Sequence, residues 1–298
     1  MATVPSAPPA EGQLPERAPP VPPAPAQIAQ RIKSLPQIST ASLQLAQELG
    51  ATKSDAGDLE RILRGDPALA TNVLKLANSA FFRGAKGAAT LRDAVVRLGR
   101  RGLQGVAFGA ALKSALPARL DGYGQTAKEF LRHSVAVATL SERISRRVQF
   151  VEREMIFTAG LLHDLGKLVV STFLFDQGTL LDDLPEIAQE QAMLGLDHGE
   201  VGLELAMAWR LPHAAVLANR WHHAPMSAPD PQSRKLAGVI HLADQIDRLV
   251  FHADATVEEC RVEPEVFTRL GLKPEVMGEL AAEAIDEVES LCEALGQA

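Results

Sequence analysis

The stretch Ala159-Gly160-Leu161-Leu162-His163-Asp164-Leu165-Gly166-Lys167 sets an ionisable doublet at the end of an apolar run, with a glycine and a lysine just behind it. The run at about 153–164 reads as helix, so the doublet is predicted on helical backbone. Neighbouring His163 and Asp164 would then diverge by roughly 100° around the axis, which suits one residue per cation or an aspartate shared by two. Other imidazoles and carboxylates also fall on stretches that read as helix. These are Glu129 and His133 on 127–147, His198 at the start of 199–209, His222-His223 at the end of 212–223, and Asp244 within 234–250. Glu129 and His133 are four apart and so share one helix face. Imidazole nitrogen mixed with carboxylate oxygen is a ligand set suited to iron, manganese, zinc or nickel. Helices that bring these groups to one point would hold two or three divalent ions, and iron or manganese is the expectation.

Composition bounds the rest. The 298 residues suffice for two domain-sized cores, and the hydrophobic fraction of 46% is ordinary for a globular chain. Aromatics make up 4%, while Ala and Leu are plentiful, which favours packed helices over strands. The expected class is all α. A formal charge of −7 argues against a nucleic-acid partner, whose footprint is a basic surface. Two cysteines, Cys260 and Cys292, make no disulfide framework and fit a reducing compartment. No signal-like N-terminus and no apolar run near the ~18 residues of a membrane span are visible. The expectation is a cytoplasmic protein with no membrane partner.

Nine of the 19 prolines fall between positions 5 and 25, so residues 1–27 are expected to be a disordered or polyproline-II-like tail. Folded sequence is expected from Ile28. Leu43, Leu45, Ala46 and Leu49 form a helical stripe that stops at Gly50. Asp66-Pro67 places an N-cap side chain before a proline at the first helical position, ahead of Leu69, Val73, Leu76 and Ala77. Thr90 and Asp93 have capping-box spacing, Gly99 is placed to end that helix, and another is expected over 102–116. Turn formers at 120–126 separate the halves. Further helices are predicted at about 185–194, 264–270 and 274–295, the last carrying Glu275, Glu279, Glu283, Asp286, Glu287, Glu289 and Glu293 on what reads as a solvated face.

Leu35-Pro36, Asp66-Pro67-Ala68-Leu69, Leu76-Ala77-Asn78-Ser79-Ala80, Ala94-Val95-Val96-Arg97-Leu98-Gly99 and the 159–167 stretch together resemble an HDOD domain, a bacterial signal-transduction module related to the HD and HD-GYP phosphohydrolases. The resemblance covers about residues 28–270. It implies an N-terminal helical bundle (28–120) packed on an HD-like metal-binding half (121–270); residues 271–298, beyond it, are expected to be the acidic amphipathic C-terminal helix. It also implies site residues. His133 matches the first HD histidine, His163 and Asp164 the doublet, and Asp244 the closing aspartate. His198 and His222-His223 occupy the places of the further HD-GYP histidines, and Glu129 that of a glutamate four residues before the first histidine. The chain departs from HD-GYP after His223, where Ala224-Pro225-Met226 stands in place of Gly-Tyr-Pro, the loop linked there to cyclic dinucleotides. Cyclic di-GMP hydrolysis is therefore not expected.

Three functions stay open on this reading. One is a sensor or interaction module with a retained HD metal site, working through other signalling proteins. Another is a metal-dependent phosphohydrolase acting on a nucleotide or other phosphate ester, with Asp164 bridging two cations and Lys167 meeting the phosphate as a point charge. The third is a metal-free scaffold. The sequence does not give the oligomeric state. His213, His241 and His252 match no motif position, and His241, three before Asp244, could at most orient it. Asn78-Ser79 is read as ending or orienting its helix, and Arg97, Arg100 and Arg101 as a solvated rim.

Overall fold

Side chains that cap helix ends punctuate the chain, because each α-helix leaves its first N–H groups without intrahelical partners. The computed structural model describes residues 22–35, 40–50, 55–79, 82, 87–148, 153–177, 186–251 and 262–296. Its first helices are α1 (Pro25–Ser34), α2 (Thr40–Gly50), α3 (Ala56–Arg64), α4 (Pro67–Ala77) and α5 (Leu91–Ala115). Asp55 caps α3 through the N–H groups of Gly57 and Asp58, Asp66 caps α4 through Leu69, and Thr90 and Asp93 close a reciprocal box on α5. Gly99, at φ 59°, breaks α5 where the sequence placed a helix end. Helix α1 begins at Pro25, within the span read as tail; residues 1–21, Pro36, Ala80, His252 and Cys260 lie outside the described residues.

The turn-rich segment 120–126 holds a two-residue antiparallel pair, β1 (Arg119–Leu120) with β2 (Gln125–Thr126). Beyond it come α6 (Ala127–Arg147), α7 (Arg153–Leu161), α8 (Lys167–Gln177), α9 (Glu186–Leu194) and α10 (His198–Ala208). The chain then runs through α11 (His213–Trp221), α12 (Pro231–Phe251), α13 (Pro264–Leu270) and α14 (Val276–Gly296). The protein is all α apart from that short ladder. Among the described residues no helix is long and apolar enough to cross a membrane.

Two apolar clusters form the core, and α6 feeds both. Phe130, Leu131, Val135 and Ala138 join α2–α5 and the buried faces of α8 and α10. Val137, Leu140 and Ile144 face the other way, toward α7, α11, α12, α13 and α14. At about 1.5–3 kcal/mol for each fully buried Leu, Ile or Phe, these contacts fix α6 rigidly as a wall between two packed layers. His133 stands on that wall. The outer face of α6 meets the acidic helix α14. Arg143 reaches Glu287 at 2.6 Å and Glu283 at 3.3 Å, and Arg147 reaches Glu279 at 2.7 Å and Glu283 at 2.5 Å. Part of the acidic face expected to be solvated is thus paired with α6.

Candidate metal centre

Four helices and two helix-end turns aim polar side chains at one place. His133 comes from α6, Asp244 and Asp247 from α12, and Glu190 from α9. His198 is the first residue of α10, whose N-terminus is capped by an Asp197/Glu200 box. His163, Asp164 and His223 lie beyond helix ends, contrary to expectation, whereas His222 keeps helical dihedrals at the end of α11. Helix α7 stops at Leu161, so His163 and Asp164 lie in the turn before α8; His222 is the C-cap of α11 and His223 follows it in a turn. Glycine makes the first turn feasible. A Cβ at Gly166 would sit 1.8 Å from the His198 carbonyl oxygen, so no other residue lets the doublet lie so close to α10. Gly160 plays the same part against α6, where a Cβ would come within 2.8 Å of the Ala138 backbone.

The imidazoles converge through their Nε2 atoms. His133 Nε2 lies 3.2 Å from His163 Nε2, 3.5 Å from Asp164 Oδ2 and 3.4 Å from Asp244 Oδ1. His198 Nε2 lies 3.3 Å from His222 Nε2, 2.9 Å from His223 Nε2 and 3.2 Å from Asp164 Oδ1. Two sets of ligand atoms share Asp164, one with His133 and His163 and one with His198, His222 and His223, and a third set joins Glu186 and Glu190 to His198. Asp244 adds a carboxylate beside the first. His163, His198 and His222 are fully or almost fully buried, as are Asp164 and Asp244.

The opposite ring atoms are held from behind. Nδ1–H of His163 donates to the Gly160 carbonyl at 2.7 Å, and Nδ1–H of His222 to the Ala218 carbonyl at 2.8 Å. His133 Nδ1 meets Asp247 at 2.6 Å and His198 Nδ1 meets Glu190 at 2.7 Å, while the His198 backbone N–H donates to Glu190 as well. Donation at Nδ1 leaves a lone pair on Nε2 of each neutral ring. In His163 and His222 that lone pair faces Asp164 Oδ1, at 3.4 and 3.3 Å, with acceptor opposite acceptor in a buried place. A proton or a cation between them relieves that opposition.

Charge follows the same pattern. Burial opposes protonation of His133, but its contacts with Asp164 and Asp247 prevail and push it up to about 10. Burial likewise opposes protonation of His198, and Glu190 and Asp164 push it to about 10. Burial, reinforced by His222 and His133, drops His163 to about 3. His223 is lowered well below the usual imidazole range by burial and by His222 and His198. Asp164 is lowered well below the usual carboxylate range despite burial, with Lys167, His133 and His198 supplying charge and hydrogen bonds to it. The carboxylates of this centre draw positive charge inward.

The structure separates the expected site residues. It gathers His133, His163, Asp164, His198, His222, His223 and Asp244. It does not gather Glu129. That side chain is exposed and turned back on the α6 N-terminus, where Oε2 accepts the N–H and the hydroxyl of Thr126, both at 2.7 Å. The four-residue spacing to His133 was real, but Glu129 closes a capping box. Lys167, expected to face a phosphate, is committed to Asp164 and Glu186, each at 2.7 Å. His241 donates from Nδ1–H to the His222 carbonyl at 2.7 Å and steadies the turn that carries the paired histidines.

Sequence reading missed Glu190, Glu186 and Asp247. Asp247 is three residues after Asp244 and so on the same face of α12, a signal that was available. Glu190 had none, because it reaches His198 across a loop and also accepts the Tyr123 hydroxyl at 2.7 Å.

Comparison with known proteins sets this geometry in context. The HDOD domain family matches residues 35–225. An uncharacterized protein of Treponema pallidum (strain Nichols) is 28% identical over 205 residues, taking in 66% of this chain and 39% of that one, so the chain spans well under half of that relative's length. An HDOD domain protein of Geobacter sulfurreducens has the same fold, with TM-score 0.70 at 22% identity over 91% of this chain and 97% of that one. A Shewanella amazonensis SB2B protein, provisionally named a phosphohydrolase, gives TM-score 0.68 at 26% identity over 91% and 98%. A Marinobacter aquaeolei VT8 protein, provisionally named for signal transduction, gives 0.70 at 22% over 91% and 64%.

Proposed function

The chain belongs to the HDOD domain family, and we propose that it is a signal-transduction protein in which the HD-type metal centre is retained and serves as the ligand-sensing site. The observation that carries this is the buried opposition of His163 and His222 Nε2 to Asp164 Oδ1, with both rings locked by donation at Nδ1. A protein that had lost the centre would gain nothing from holding such lone pairs face to face. His133, His163, Asp164 and Asp244 would hold one divalent cation, and Asp164, His198, His222 and His223 a second. Asp247 and Glu190 fix the rings of His133 and His198, an outer role that commonly changes metal affinity 10–100-fold.

The same centre supports an enzymatic reading, a metal-dependent phosphohydrolase on a nucleotide or other phosphate ester. The 26% identical Shewanella protein, whose provisional name is phosphohydrolase, favours it. Bound divalent cations supply Lewis acidity toward a phosphoryl oxygen. The residues after His223 form a 3₁₀ turn at Pro225–Ser227 that leads toward α12. With no Gly-Tyr-Pro there, cyclic di-GMP is not the proposed substrate. Membership of the HDOD family supports action through other signalling proteins.

Elemental analysis of the untagged full-length chain, prepared anaerobically from metal-replete cells, tests the metal centre. The expected result is at least one transition-metal ion per chain, iron or manganese. Metal below about 0.1 per chain would refute the reading, since a mixed imidazole–carboxylate set of this size should retain first-row metals. Assay of the loaded protein on nucleotides and generic phosphodiesters then separates sensor from enzyme.

A further inference from the structure

Two cations stand near the centre, and their bonding differs. The Lys167 ammonium is buried, holds Asp164 and Glu186 at 2.7 Å each, and lies 5.5 Å from the centre of the Tyr123 ring. Reaching a ligand would strip it from both carboxylates. Arg248 is on α12, one turn beyond Asp244, and its side chain is 42% exposed. Its Nε lies 3.7 Å from Asp244 Oδ2, too far for a hydrogen bond, and that oxygen already accepts from Gln245 Nε2 at 3.0 Å. Among the described residues the guanidinium makes no hydrogen bond.

Its position is also telling. The Arg248 Nε lies beside one oxygen of Asp244, whose other oxygen is 3.4 Å from His133 Nε2, so the guanidinium borders the ligand cluster at Asp244. His133 and Glu186 are partly exposed, while His163, His198 and His222 are sealed from solvent. A guanidinium is a flat fork of donors matched to two oxygens of one phosphoryl group. A partly exposed fork whose donors are unused among the described residues, beside a buried cluster of imidazoles and carboxylates, has the geometry of a clamp for an anion that spans both.

We propose that Arg248 is the ligand-positioning residue of this centre: it grips the free oxygens of a phosphoryl group whose other oxygens face the metal ions, while Lys167 serves to hold Asp164 and Glu186 in place. The proposal rests on the metal reading above and adds to it the class of ligand and the residue that selects it.

The test uses the full-length chain loaded with Mn(II) and titrated calorimetrically with inorganic phosphate, with metal content measured in parallel. Arg248→Gln should keep its manganese and bind phosphate about 10–100-fold more weakly, the range for one charge-assisted contact. Arg248→Lys, which keeps the charge without the fork, should recover part of that loss. Lys167→Met should lower manganese content. Arg248→Gln that binds phosphate like the wild type overturns the proposal and leaves the metal centre standing. So does an Arg248→Gln chain that loses its manganese, because the arginine would then act through Asp244, and so does a loaded wild type that binds no phosphate. A wild type that takes up no metal refutes the metal reading alone. Phosphate binding to that metal-free chain, compared between wild type and Arg248→Gln, would still decide the role of the arginine.

Discussion

Asn78 at the end of α4 and Asp164 in the turn before α8 are both buried or half-buried polar residues in sequence motifs, and their bonding is opposite. The Asn78 amide donates to the carbonyls of Leu74 and Ala88, both at 3.0 Å, and its oxygen accepts the Ala88 N–H at 2.8 Å. Its amide group is satisfied within the protein, and it ties the end of α4 to the chain entering α5. Asp164 has one donor bond of good length, from Lys167, and around it stand imidazole nitrogens at 3.2 to 3.5 Å. A polar residue that builds the fold closes its hydrogen bonds on backbone. A polar residue that serves a ligand leaves acceptors pointing at one another.

The largest effect should come from Asp164→Ala. It withdraws the anionic ligand shared by both sets of imidazoles and leaves two cations less shielded from each other. Most of the bound metal should be lost. His241→Ala removes a bond to the His222 carbonyl, so metal affinity should fall by roughly 10–100-fold at most. Titration of each variant with Mn(II) under anaerobic conditions checks the contrast. Equal loss in the two, or none in Asp164→Ala, would mean the centre is placed wrongly.

Asn78→Ala sharpens the comparison from the other side. Losing an amide with three backbone bonds should cost about 1–3 kcal/mol of stability, read from denaturant midpoints, and should leave metal content unchanged. A large loss of metal in this variant would show that the α4–α5 connection governs the metal centre, and the division into structural and ligand-serving polar groups would fail.

The same division explains what the sequence could tell. Caps were legible because they act locally: Asp66, Thr90 and Gly99 do what their positions imply. Local logic also misled at Glu129, where the spacing that would put a carboxylate beside His133 is also the spacing of a capping box with Thr126. Helix α8 was missed because Leu168, Val169, Val170 and Leu174 are buried without a polar face to give a 3.6-residue rhythm. Short α3 was missed as well, although Asp55 and Asp58 form its cap. The imidazole and carboxylate ligands were legible by type and order, but their ring orientation was not. Orientation depends on Glu190, Asp247 and three backbone carbonyls, of Gly160, Ala218 and Asn219, reached through tertiary packing.

The smallest effect belongs to polar groups of a third kind, the ion pairs between α6 and α14. Arg143 and Glu287 meet at 2.6 Å with side chains 23% and 14% exposed, so water reaches them but does not surround them. Glu283 is shared by Arg143 and Arg147, which makes a small network out of separate pairs. A double-mutant cycle on Arg143→Ala and Glu287→Ala should give a coupling of about 0.3–1 kcal/mol, the usual range for pairs that keep access to solvent. Raising the salt from 0.1 to 1 M shortens the screening length from about 10 Å to about 3 Å, and the coupling should shrink with it. Metal content should not change, because Arg143 lies more than two helical turns along α6 from His133. A coupling that persists undiminished in 1 M salt would show that the pair is sealed from water. Metal loss in either variant would show that α14 sets the position of His133, and the acidic helix would then belong with the centre.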